Sequence, residues 1–183
     1  MRKTIISIII PALTALLLSF SATAMEYEHE LVSGKINFAW TVEGENIHVM
    51  VSAETTSWVG VGFDPEDAMK GANFILGYIN KDRDRIKVED HYGDRRIGHK
   101  SDTKLGGTND IITSSAKEEN GVTTITFTIP LKTDDKWDKP IDPSGITRIL
   151  LAHGKGRDSL RSQHRYRVVY DVNLSTGESK KIK

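Results

Sequence analysis

Two stretches of this 183-residue chain hold side chains that could ligate a metal, and both interrupt an otherwise regular strand pattern. Residues 58–73 place Met69 in a predicted loop, where a thioether is most often packing material but is also a soft ligand. Residues 152–166 carry His153 and His164 among basic residues and glycines. This second stretch is either a solvated basic loop or a loop in which one histidine ligates a metal through its imidazole.

A second candidate metal set lies in the middle of the chain. His91 and His99 occur close in sequence to Asp90, Asp94 and Asp102. Imidazole and carboxylate groups could together hold a zinc or calcium ion. Because these residues lack a defined ligand spacing, their chance occurrence in polar segments is the favoured interpretation, and a metal site is the alternative.

Several classes of chemistry are excluded by residues that the chain lacks. With no cysteine, it cannot form a zinc–thiolate site, an iron–sulfur cluster or the C-x-x-C-H attachment of c-type haem. No Ser-His-Asp signature, P-loop or glycine-rich dinucleotide motif occurs. Nothing in the sequence therefore predicts a hydrolase or a transferase.

Short β-strands are the elements that must position these residues. Alternating apolar and polar residues predict strands at residues 36–42, 47–51, 58–63, 74–79, 85–92, 122–129, 147–153 and 166–174, with a weaker one at 110–115. No segment shows a helical period. The pattern predicts an all-β fold, an antiparallel β-sandwich of about 8–10 strands.

The N-terminus predicts export. A basic start, an apolar run over residues 5–20 and small residues ending at Ala24 are typical of a signal peptide over residues 1–24. A retained anchor is the alternative, but the run falls short of the roughly 20 apolar residues that a membrane span needs. The remaining residues 25–183 suit a single domain, with a core at about 34–174 and no further membrane span. We expect a periplasmic or secreted protein.

The charge balance argues against nucleic acid as a partner. Removing Arg2 and Lys3 with the signal peptide leaves 23 basic and 25 acidic residues. A chain without a basic excess has little with which to neutralise phosphates.

The order of the motifs resembles the DOMON family. The matching segments are Trp58-Val59-Gly60-Val61-Gly62-Phe63, then Met69-x-Gly71-Ala72-Asn73, the apolar strand through Gly77-Tyr78-Ile79, and finally Ala152-x-Gly154, Leu160 and His164. Asn73 stands where the family more usually has an acidic residue. The resemblance covers roughly residues 34–174.

The resemblance implies an immunoglobulin-like β-sandwich and a specific pair of ligands. Some DOMON domains, such as the cytochrome domain of cellobiose dehydrogenase, bind b-type haem through one methionine and one histidine. Met69 falls on the methionine position and His164 on the histidine position, with His153 as the alternative to His164. Proximity in sequence to these ligand positions suggests residues for the haem environment: Trp58, Phe63, Phe74 and Tyr78 as walls, and Arg161, Arg165 or Tyr166 near the propionates.

Met/His ligation fills both axial positions of a haem, which suits electron transfer and leaves no open position for a substrate. The main hypothesis is therefore an exported, non-covalent haem b protein that exchanges single electrons with a redox partner, alone or as a subunit of a larger exported complex. Other DOMON domains have lost haem and are thought to bind sugars. The alternative is thus a haem-free module for a carbohydrate or another small ligand, with Trp40, Trp58 and Trp137 as an aromatic platform.

The strand pattern conflicts with the predicted ligand pair. If nine strands simply alternate in direction, Met69 follows the third and His164 precedes the ninth, which places them at opposite ends. The two meet if residues 110–115 are not a strand, or if one connection crosses between sheets. We expect residues 110–115 not to form a strand.

Overall fold

The computed structural model describes residues 26–83 and 85–183, so the predicted signal peptide lies outside it. In this part of the chain the strands are β1 (His29–Ser33), β2 (Ile36–Glu43), β3 (Asn46–Ala53), β4 (Val59–Phe63), β5 (Asn73–Asn80), β6 (Arg85–Arg95), β7 (Gly98–Ser101), β8 (Thr113–Glu119), β9 (Val122–Pro130), β10 (Thr147–Gly154), β11 (His164–Val172) and β12 (Ser179–Lys181). A 3-10 turn spans Lys81–Arg83, and one short helix, α1, spans Asp102–Leu105. No described helix has the length and apolar character needed to cross a bilayer.

The strands form two antiparallel sheets, which confirms the predicted all-β sandwich. One sheet has the order β1-β2-β3-β9-β8, and the other has the order β12-β11-β10-β4-β5-β6-β7. The centre of the first sheet pairs β3 with β9, and the second pairs β4 with β10. The chain therefore crosses between sheets after β3, β7 and β9.

The main core lies between the two sheets. Inward-facing positions of both sheets supply its buried aliphatic and aromatic side chains, as alternation along half-buried strands requires. Trp40 is fully buried here and donates its indole N–H to the carbonyl oxygen of Leu174 at 2.8 Å. A buried indole needs such an acceptor.

The expectation about residues 110–115 was wrong. A strand does form nearby, as β8, and it pairs with β9 at the edge of the smaller sheet. Its sequence is polar because most of its residues are exposed, which hides the alternation. The edge strands β1, β7 and β12 were not predicted either, because they are short and few of their residues are buried.

Candidate functional site

The outer face of the seven-stranded sheet carries a second apolar cluster, the outer-face patch. Its members are Trp58, Ala72, Phe74, Leu76 and Leu160, all buried, with Met69, Tyr78, Leu150 and Ala152 partly buried around them. The outer face of an antiparallel sheet is usually polar. An apolar area on that face therefore marks a place where something binds or covers the sheet.

Two glycines give the patch a flat floor on β4. A Cβ atom at Gly60 would lie 2.8 Å from Leu76 Cδ2, and one at Gly62 would collide with the ring of Phe74. The side chains of Leu76 and Phe74 therefore lie directly over the β4 backbone. Two open depressions of about 250 and 350 Å³ lie elsewhere, and neither is lined by a patch residue.

The loop after β4 brings Met69 to the patch. Its backbone is fixed to the β6–β7 hairpin, because Met69 N–H donates to the carbonyl oxygen of Arg96 at 3.1 Å. Gly71 N–H donates to the carbonyl oxygen of Gly93 at 2.9 Å. Asp64 has a φ of 46°, a left-handed conformation that turns the chain back at the end of β4. The Met69 side chain is therefore held against the patch from one end.

The loop between β10 and β11 covers the patch from the other end. Trp58 donates its indole N–H to Ser162 Oγ at 2.9 Å, and Ser57 Oγ donates to the carbonyl oxygen of Arg157 at 2.7 Å. These contacts fix the loop to the residues just before β4. Leu160 is thereby buried in the patch.

His164 begins β11 and shares the outer face. It lies opposite Gly154, after a register shift that follows the His153–Tyr166 pair. A Cβ atom on Gly154 would collide with Ser57 and Trp58, so this position faces the patch side of the sheet. Burial, and then the charge of Arg167, lowers the pKa of His164. The imidazole is therefore neutral at pH 7, the form that ligates a metal.

His153 faces the other way. It is buried between the sheets, its Nδ1 donates to the carbonyl oxygen of Gly154 at 3.0 Å, and its ring stacks on Tyr166 with centroids 5.9 Å apart. The alternative ligand thus lies on the opposite side of β10 from the patch.

The structure does not bring Met69 and His164 together. In the pairing of β4 with β10, Val59 lies opposite His153, whereas Phe63 lies opposite Ile149. The four residue-to-residue steps from Val59 to Phe63 span about 13 Å at about 3.3 Å per residue. Met69 follows the far end of β4, and His164 follows the end of β10 that meets the start of β4. The two residues approach the patch from opposite ends.

The other predicted site residues lie on different faces of the seven-stranded sheet. Trp58, Phe74 and Tyr78 belong to the patch. Phe63 does not, because alternation along β4 turns it into the main core. Tyr166 also packs towards the main core, and its hydroxyl lies 3.3 Å from Ser33 Oγ, away from any outer-face ligand. Arg161 and Arg165 are exposed on or next to the loop that carries Leu160.

The mixed histidine–aspartate set separates into two groups. His91 Nδ1 lies 2.7 Å from His99 Nδ1, and His91 Nε2 lies 3.0 Å from Glu89 Oε2. The His99 ring packs beside Phe74, and burial lowers its pKa to about 4. Asp90 is the neighbour of His91 on β6 and therefore faces the opposite side of the sheet.

The proposed aromatic platform is not present as an exposed surface. Trp40 and Trp58 are both buried, and only Trp137 is partly exposed among the three tryptophans. Lys136 Nζ lies 4.6 Å from the Trp137 ring centroid. The patch also contains residues that the motifs did not single out: Leu76, Leu150 and Ala152. Their outward positions on paired strands were the available signal.

Three comparisons place the chain among known proteins. A family model described as the DOMON domain matches residues 32–154. Human DBH-like monooxygenase protein 1 is 29% identical over 120 residues, which are 66% of this chain and 19% of that protein. The chain thus spans about a fifth of that relative. The cytochrome b domain of pyranose dehydrogenase from Coprinopsis cinerea superposes with a TM-score of 0.53 at 9% identity, covering 75% of this chain and 77% of that one. At this identity the likeness shows the fold alone.

Proposed function

We propose, since this chain belongs to the DOMON domain family, that it is an exported haem b-binding domain that carries single electrons. The observation that carries the proposal is the outer-face patch, which two loops cover from opposite ends. One loop contributes Met69, and the other leads into His164. A b-type cytochrome domain adopts a similar fold.

The residues present fit this group in their chemistry. A thioether and a neutral imidazole are a stable axial pair for haem iron, and the apolar patch suits a macrocycle. Arg161 and Arg165 are exposed on or next to the loop that carries Leu160, and they could pair with carboxylates. The chain has no cysteine, so the group would be held without a covalent bond. When bound, it would supply a one-electron iron couple.

The chain itself would provide the binding surface and exclude water. Gly60 and Gly62 let the side chains of Leu76 and Phe74 lie flat over the β4 backbone, so a flat group would stack on these two side chains. The two covering loops shield the patch from solvent. With both ligands coming from the protein, no position is left for a substrate, which favours electron transfer over catalysis.

Ligation by both residues requires loop closure. Met69 and His164 are anchored at opposite ends of β4, and Leu160 with its neighbours fills the space between them. One iron can meet both side chains only if the loops approach each other over the patch and Leu160 gives way. We expect binding of haem to reorganise residues 64–72 and 155–163.

The setting proposed for this activity follows from the predicted signal peptide. The protein would work in the periplasm or outside the cell, either alone or as a subunit of a larger exported complex. Its partner would be another redox protein, and we expect no role for nucleic acid.

An absorption spectrum tests the proposal directly. Residues 25–183 are mixed with hemin and measured before and after dithionite. We expect a sharp Soret band and resolved α and β bands on reduction, as for six-coordinate iron. Met69→Leu and His164→Ala should each convert the spectrum to high spin or release the haem. Met50→Leu and His153→Ala are the matched controls and should leave the spectrum unchanged.

Other outcomes redirect the proposal. Since His99 packs beside Phe74 in the patch, His99→Ala identifies a different axial histidine if it alone changes the spectrum. A colourless protein that ignores added hemin overturns haem binding altogether. The haem-free module for a carbohydrate or another small ligand would then be the function to test.

A further inference from the structure

Three buried aspartates meet away from the outer-face patch, on the inner side of the larger sheet. Asp90 comes from β6, Asp102 begins α1, and Asp138 lies between β9 and β10. One carboxylate oxygen of each lies within 4.8 Å of the others. The three residues are only 4%, 1% and 7% exposed, respectively.

These carboxylates lack counter-charges among the described residues. No described lysine, arginine or histidine forms an ion pair with any of them. Neither oxygen of Asp102 has a hydrogen-bond partner, and Asp90 Oδ1 has none either. Asp90 Oδ2 accepts only the N–H of Asp110, at 3.0 Å. Buried carboxylates without such partners are strongly unfavourable, so the site is incomplete as it stands.

A neutral side chain completes the group and points independently to a ligand. Asn73 is 7% exposed, and its Nδ2 donates to Asp138 Oδ1 at 2.6 Å. Its carboxamide therefore lies against the cluster. The buried Asn73 Oδ1 has no partner. The Nδ2 group now faces Asp138, so Asn73 would ligate a cation after its carboxamide turns over and gives up that bond. An amide oxygen is a donor that a hard cation uses.

The ionisation of the cluster agrees with this geometry. Burial raises the pKa of all three carboxyl groups, to about 6 for Asp90, about 8 for Asp102 and about 9 for Asp138. Repulsion from other carboxylates adds to the rise, and for Asp138 a side-chain hydrogen bond with Asp110 contributes more than this repulsion. Asp110 and Asp135 add to the repulsion. At neutral pH the cluster therefore holds either protons or a cation.

We propose that Asp90, Asp102, Asp138 and Asn73 bind a divalent cation, and that the ion is Ca²⁺. All the donors are oxygens, which excludes a preference for soft or nitrogen-binding metals. Ca²⁺ accepts six to eight oxygens in flexible geometry, whereas Mg²⁺ dehydrates reluctantly and keeps several waters. A cluster this deeply buried favours the ion that gives up its water. The site does not depend on haem binding.

The ion would join four separate parts of the chain. Asn73 begins β5, Asp90 lies on β6, Asp102 begins α1, and Asp138 belongs to the long connection between β9 and β10. Asp138 has no strand of its own, so ion binding would fix that connection to the sandwich. The proposed role is therefore structural.

The test uses haem-free residues 25–183, first treated with a chelator and then titrated with CaCl₂ at pH 7. We expect heat of binding by calorimetry. We also expect Tm to rise by about 5–10 °C when the free ion is at 100 times its Kd. Equal Tm values in CaCl₂ and in chelator, with no heat of binding, would overturn the proposal. A rise with MgCl₂ but not with CaCl₂ would overturn the choice of ion.

Variants locate the ion. Asp102→Asn removes one charge at nearly constant size, so Ca²⁺ affinity should fall at least about tenfold while the protein without the ion keeps its Tm or gains stability. Asn73→Ala should also weaken Ca²⁺ binding, without changing the net charge. Asp94→Asn is the matched control on β6, because Asp94 pairs with Lys100. CaCl₂ should raise its Tm as much as that of the unsubstituted protein. If CaCl₂ raises the Tm of both Asp102→Asn and Asn73→Ala as much as that of the unsubstituted protein, the ion binds elsewhere.

Discussion

The indole N–H of Trp58 donates to Ser162 Oγ at 2.9 Å, and the same hydroxyl donates to the carbonyl oxygen of Ser159 at 2.8 Å. These bonds attach the loop before His164 to the residue that precedes β4. Leu160 reaches the outer-face patch because its loop is held in this way. Ser162 therefore helps to hold one half of the candidate haem site, together with the bond between Ser57 and Arg157.

Ser162→Ala should loosen this loop. It removes both hydrogen bonds and leaves the buried Trp58 indole without its acceptor, so the free energy of unfolding should fall by about 1–2 kcal/mol. Urea denaturation measures the loss, and hydrogen exchange should accelerate in residues 155–163. Ser115→Ala, on an exposed strand of the other sheet, is the control. Equal effects of the two substitutions would contradict the proposed role of Ser162.

Gly62→Ala should disturb the floor of the patch. The new methyl group would collide with the ring of Phe74, which must then move. We expect a loss of about 1–3 kcal/mol in stability and weaker binding of hemin, because the surface over β4 is no longer flat. Gly145→Ala is the control at an exposed turn, where the added Cβ meets only the flexible Asp142 carboxylate. Unchanged hemin affinity in Gly62→Ala would argue against binding over β4.

Trp40→Phe separates stability from ligand binding. The substitution leaves the Leu174 carbonyl oxygen without its donor and creates a small cavity, so we expect a loss of about 1–3 kcal/mol in the free energy of unfolding. Trp137→Phe should cost less, since Trp137 is partly exposed and its indole N–H has no partner. Ligand binding should be unaffected by Trp40→Phe once the protein is folded. A direct loss of binding in a folded Trp40→Phe protein would contradict the assignment of Trp40 to the core.

The stability of the cation-free protein should fall as pH rises above about 7. Asp90, Asp102 and Asp138 have raised pKa values in the folded state, so the folded protein binds more protons than the unfolded chain. Their contribution is present below the unfolded pKa of about 3.9 and is lost as pH rises through the folded values. Asp110 and Asp135 strengthen this trend through repulsion. His91, His99 and His164 have lowered pKa values and contribute in the opposite direction below about pH 6.5, so the measurement starts at pH 7. Urea denaturation in chelator should show decreasing stability from pH 7 to pH 8.5, and CaCl₂ should flatten the profile. A rising profile in chelator would contradict the raised pKa values.

Part of the site could be predicted because the strand pattern is local. Trp58 and Phe74 flank the glycines in the motif, and both lie in the patch. Phe63 was predicted there too, but it lies an odd number of residues from Trp58 and therefore faces the opposite side. Odd and even positions of a strand point to opposite faces of the sheet, and the motif alone does not show which face a residue takes.

The rest depended on contacts that no local pattern encodes. Asp138 lies in a polar connection without periodicity, and its partner Asn73 is 65 residues earlier. The separation of Met69 from His164 follows from the antiparallel pairing of β4 with β10, which lie far apart in the chain, although connections do cross between the sheets. No local pattern revealed β8 either. Its mostly exposed, polar residues conceal a strand whose place is fixed by pairing with β9.

The central strand pairs also bear on how fast the protein folds. Val49 pairs with Phe127 in one sheet, and Val61 pairs with Leu151 in the other, so both sheets are completed by residues from late in the chain. Closing such long loops costs entropy before the contacts form, which makes folding slow for a protein of this size. A chain that lacks β9 or β10 has no centre for one of its sheets. We therefore expect the sandwich to remain unfolded during synthesis until nearly the whole chain is available, a delay that suits export of an unfolded polypeptide.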